Sequence, residues 1–78
     1  MEDREHFDEI IHEIGEHIKT LRIEAGYTSY VDFAIKNDMQ PKQYWKLEAG
    51  QANFTIRTIL RILEIHNMTL EEFFKGLK

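Results

Sequence analysis

The sequence predicts an all-α fold, a compact five-helix bundle with an extended first helix. Apolar residues recur at helical spacings of three and four, and helix-capping and helix-stopping residue types divide the segments that carry them. The connections are a few residues long, with no strand pattern and no internal repeat.

The first helix is predicted over residues 3–25. Phe7, Ile11, Ile14, Ile18 and Leu21 alternate by four and three, and Gly26 closes the helix. A second, short helix carries Val31, Phe33, Ala34 and Ile35 on an amphipathic pattern and ends at Asn37-Asp38, residue types that tolerate a left-handed backbone. Met39 then dips into the core. Gln40 stands at an N-cap position and Pro41 at the first helical position, where its missing N–H costs nothing. Along the third helix Tyr44 and Leu47 fall on the inner side and Lys42, Gln43 and Lys46 on the outer side, before Ala49-Gly50 stop it. Tyr44 is expected in the core with its hydroxyl reaching the edge, and Trp45 partly packed against the first or fourth helix.

After a loop at residues 51–54, Thr55 is a fitting N-cap for a fourth helix with Ile56, Ile59, Leu60, Ile62 and Leu63, expected to be heavily buried. Asn67 offers a left-handed stop. Thr69 and Glu72 have the spacing of a capping box, with Met68 and Phe73 placed for a hydrophobic staple at the start of a fifth helix. Arg57 and Arg61, one turn apart on the fourth helix, either extend a positive edge or are simply solvated.

A chain of 78 residues can bury only about 60% of its unfolded surface, so its stability must be modest unless a partner helps. Its 42% hydrophobic content is nevertheless enough for a real core. The absence of cysteine excludes disulfides and thiol chemistry, and with no bilayer-spanning run or N-terminal apolar segment the expected compartment is the cytoplasm, with no membrane partner. The net charge of −4 argues against an indiscriminate polyanion binder. That average hides a split. The acidic residues Glu2, Asp3, Glu5, Asp8, Glu9, Glu13, Glu16 and Glu24 crowd the first helix against Arg4, Lys19 and Arg22, whereas the remainder is slightly basic.

Leu21-Arg22, Ala34 and Glu48-Ala49-Gly50, followed by Asn53, Thr55-Ile56, Leu60 and Thr69-Leu70-Glu71-Glu72-Phe73-Phe74, stand in the order found in a known family. The chain resembles the Cro/C1-type (XRE) helix-turn-helix repressors, with their lambda-repressor-like fold. The likeness treats residues 1–78 as one domain, with 14–74 as the family-like core and 1–13 as an N-terminal extension of the first helix. It departs at Thr28-Ser29-Tyr30, where the family usually has a phosphate-gripping Gln, at Asp38, where a Gly is usual, and at His66, where a Leu is usual.

The resemblance implies a sequence-specific regulator of transcription that binds double-stranded DNA, working as a homodimer on an inverted-repeat site. It implies that Arg22 and Glu48 form a structural ion pair. Docked as in the family, Lys42, Gln43 and Lys46 would meet base edges in the major groove. Ser29, Tyr30, Lys36, Gln40, Gln51 and Asn53 would contact the DNA backbone. Phe7, Ile10 and Ile11 lie in the extension and need covering, either by the chain's own last helices or by a dimer seam. The alternative function is a protein-interaction module on the same fold, such as an antitoxin-like component that neutralises a protein partner, with weak or no DNA binding.

No enzyme is expected. Ser29 is the only serine and no glycine-rich phosphate loop exists. His12 with Glu16 and Glu13 with His17 are spaced four apart, but two ligands do not make a metal site, and a solvated acidic face is the preferred reading. No cofactor is expected.

Overall fold

Four helices end in the same way, and those endings set the path of the chain. The computed structural model describes residues 2–51 and 54–77. Its helices are α1 (Glu2–Glu24), α2 (Tyr30–Lys36), α3 (Pro41–Glu48), α4 (Ile56–His66) and α5 (Leu70–Lys75), with no strand among the described residues. At the ends of α1 to α4 stand Gly26, Asp38, Gly50 and Asn67, all with positive φ. In each case the following N–H reaches back to the carbonyl five residues earlier: Tyr27 to Arg22, Met39 to Ala34, Gln51 to Lys46 and Met68 to Leu63. This is the Schellman closure, which satisfies carbonyls left orphaned at a helix end and needs one left-handed residue. Of the pair Asn37-Asp38, Asp38 takes the left-handed turn at φ 58°, while the Asn37 side-chain amide donates to the Phe33 carbonyl at 2.8 Å.

The starts are equally local. Ser29 accepts from the Asp32 N–H and Thr55 from the Thr58 N–H, and Thr69 and Glu72 complete the reciprocal capping box. Gln40 makes no side-chain cap, so α3 starts on the preset φ of Pro41 alone.

The core draws on every helix: Ile14 and Ile18 from α1, Phe33 and Ala34 from α2, Tyr44 and Leu47 from α3, Ile59, Ile62 and Leu63 from α4, and Phe73 from α5. Phe33 is the aromatic hub. Its ring meets Tyr27 edge-on at 5.2 Å, Tyr44 at 5.1 Å, and His66 in a near-parallel stack at 5.4 Å. His66 thus fills its slot as a flat aromatic ring.

Several expectations are corrected. The outer row of α4 is not buried: Ile56 is 71% and Leu60 52% exposed. On α2 Phe33 and Ala34 are buried and Tyr30 is half-buried against the core, while Val31 and Ile35 face out. Trp45 is 40% exposed, so its ring is partly covered. The Tyr44 hydroxyl is buried and does not reach the edge. Phe7, 60% exposed, and Ile10 are not covered by the last helices, and Ile11 is half-buried. His17 does not belong to a solvated face, since its ring lies 4.8 Å from that of Phe73. No helix among the described residues is long and apolar enough to cross a membrane.

Candidate nucleic-acid interface

α3 is held from beneath by three buried residues, Tyr44, Leu47 and Glu48. A charged Glu48 is tolerated inside only because Arg22 meets it with two hydrogen bonds, Nε to Oε2 at 2.7 Å and Nη2 to Oε1 at 3.2 Å. The Nη1 of the same guanidinium donates to the Tyr27 and Thr28 carbonyls, both at 2.8 Å. Arg22 therefore ties the end of α1, the α1–α2 connection and the end of α3 into one rigid corner. The hydrogen bond to Glu48 pushes the Arg22 pKa further up, against the opposing effect of burial. The Tyr44 hydroxyl lies in the same corner without a well-formed hydrogen bond, and burial first, then Glu48, push its pKa upward.

A close backbone approach completes the support. At Gly15, in the middle of α1, an added Cβ would stand 2.6 Å from the Leu47 carbonyl oxygen and 2.7 Å from that of Glu48. Only glycine lets α1 lie this close under α3. Its signal in the sequence is a glycine inside a long helical pattern, which usually means a packing reason.

With its underside fixed, α3 exposes Lys42, Gln43 and Lys46. Lys42 and Lys46 sit one turn apart, while Gln43 shares a groove of about 410 Å³ with Gln40, Asp38, Arg57, Thr58 and Arg61. The Arg61 Nη2 donates to the Asn37 carbonyl at 2.7 Å, so this arginine braces the α2–α3 turn from α4 as well as adding positive charge. Nothing local in the sequence marks that contact, which joins residues far apart in the chain.

The remaining candidates are dispersed. Lys36 and Gln51 are exposed, and Tyr30 is half-buried against the core. Ser29 is half-buried, with its hydroxyl oxygen engaged by the Asp32 N–H at 3.2 Å. Asn53 lies outside the described residues. Chemically, the arrangement is a rigid short helix offering two ammonium groups and an amide outward, beside a groove with two guanidinium groups and one carboxylate. Among the described residues no three acidic or histidine side chains gather as a metal site. Comparison of the chain with protein-family models, with curated proteins and with solved structures found no match.

Proposed function

We propose that this chain is a sequence-specific double-stranded DNA-binding regulator of transcription, acting in the cytoplasm as a homodimer on an inverted-repeat site, with no catalytic role of its own. The reading is supported above all by α3, whose buried side is locked by Tyr44, Leu47 and the Arg22–Glu48 pair while Lys42, Gln43 and Lys46 stand exposed. A reading helix must be rigid in this way, because base discrimination depends on placing donors to within a hydrogen bond's tolerance. Lysine donates to guanine O6 or N7, and the glutamine amide matches adenine. Lys36, Gln40 and Gln51 would position the unit on phosphates, and Arg57 adds positive charge at the edge of the groove. The resemblance to Cro/C1-type domains, carried by Arg22, Ala34 and Glu48 in register, points the same way.

Fluorescence anisotropy with random duplex at about 50 and 200 mM salt tests this reading, because release of condensed counterions makes affinity fall steeply with salt. Binding with that negative slope supports it. A protein-interaction role is the second reading, favoured by the large exposed apolar side chains Phe7, Ile35, Ile56 and Leu60 on an acidic chain. Absence of binding at low salt would select it.

A further inference from the structure

The apolar stripe of α1 runs past the body it packs against. Ile14 and Ile18 are buried, and one and two turns earlier the same stripe continues through half-buried Ile11 to exposed Phe7, with Ile10 exposed beside it. The body ends near His12, whose Cα lies 3.0 Å from the Cβ position of Gly50. Residues 6–11 are therefore an arm with an uncovered apolar side. A second uncovered stripe lies on α4, where Ile56 and Leu60 stand one turn apart on the flank turned away from Thr58 and the α3 groove.

Charge decides what can cover the arm. Residues 6–13 carry Asp8, Glu9 and Glu13 and no lysine or arginine, so laying two arms side by side would set like charges together. Arg57 borders the α4 stripe, with Arg61 further round towards the groove and Glu64 one turn beyond Leu60; neither arginine pairs with a carboxylate among the described residues, and residues 56–64 hold two arginines against one acid, a net charge of +1. Phe7 to Ile11 and Ile56 to Leu60 are each one helical turn apart, about 6 Å of rise, so the two rows match in length. We propose that the arm of α1 docks on the Ile56–Leu60 stripe of α4 in a second copy of this chain, each copy giving one arm and receiving one. Such reciprocity is what a two-fold dimer requires. The seam rests on the homodimer of the DNA reading but is tested without DNA, so its failure removes this dimer and leaves DNA binding by α3 to be judged by its own assay.

Sedimentation equilibrium of the whole chain, across about 1 µM to 1 mM, measures the association directly. Phe7→Glu disables the arm and Leu60→Lys disables the stripe, both at exposed positions, with helix content by circular dichroism as the folding control. Each variant alone should lose dimerisation by at least about tenfold in Kd. Mixing the two should restore a heterodimer, because the intact arm of one meets the intact stripe of the other across a single seam. A wild-type chain that stays monomeric throughout overturns the proposal. So does a Leu60→Lys chain that still dimerises alone, the outcome expected of arm on arm, or a Phe7→Glu chain that does so, the outcome of stripe on stripe. Phe7→Ala and Leu60→Ala repeat the comparison if a charged variant loses helix.

Discussion

Replacing Gly15 by alanine should destabilise the protein, although the same change inside most helices does the opposite. Alanine is the better helix former by about 1 kcal/mol. Here its methyl group would stand 2.6 Å and 2.7 Å from two carbonyl oxygens of α3, about 0.8 Å short of the 3.4 Å where ordinary contact begins. Both obstacles are backbone atoms, so no side chain can rotate away, and α1 must back off from α3. Overpacking of this kind costs about 1–3 kcal/mol, and with two fixed oxygens the upper end applies. After the propensity gain, the net loss is about 2 kcal/mol, which for a domain of this size lowers Tm by about 8–16 °C. Thermal unfolding followed by circular dichroism measures the shift. An unchanged or raised Tm would show that α1 and α3 do not touch through their backbones at Gly15, and the account of how α3 is supported would fail with it.

Glu48→Ala leaves the Arg22 guanidinium buried without its carboxylate and should cost about 3 kcal/mol in urea unfolding; an effect under about 1 kcal/mol would mean that the pair is solvated. His66 has a folded-state pKa held below its ordinary 6.5 by burial first and then by His17. The unfolded state therefore binds the proton more readily, so the stabilising contribution is complete above pH 6.5 and is lost as pH falls from there through the depressed value. Tm should fall between about pH 7 and 5.5, and less so in His66→Leu; identical pH profiles would assign the effect to other groups. If α3 reads bases, Lys46→Ala or Gln43→Ala should reduce discrimination between a selected duplex and random duplex by about 1–3 kcal/mol, whereas Lys36→Ala should weaken both alike. Competition anisotropy distinguishes the two patterns, and equal losses on both duplexes for Lys46→Ala would remove it from the reading set.

The helices and their ends were legible in the sequence because they are made by neighbours in the chain. A Schellman closure or a capping box involves residues within about five positions, so Gly26, Asn67 and the Thr69–Glu72 pair announce themselves. The inner side of α3 followed from spacing alone, and so did the exposure of Lys42, Gln43 and Lys46. The Arg22–Glu48 contact was expected through resemblance, since 26 positions separate the two and no local rule couples them.

What a side chain meets depends on segments distant in sequence, and there the tertiary structure decided. Apolar periodicity says that Ile56, Leu60 and Phe7 lie on stripes, but the other described elements do not cover them, and these residues are left outside. Trp45 is partly covered and the Tyr44 hydroxyl buried for the same kind of reason: composition records that a side chain is amphipathic, and only the packed helices determine which end faces water. Gly15 and Arg61 are the clearest cases. One admits the backbone of α3 and the other braces the α2–α3 turn, and each acquires its role from a partner more than twenty residues away.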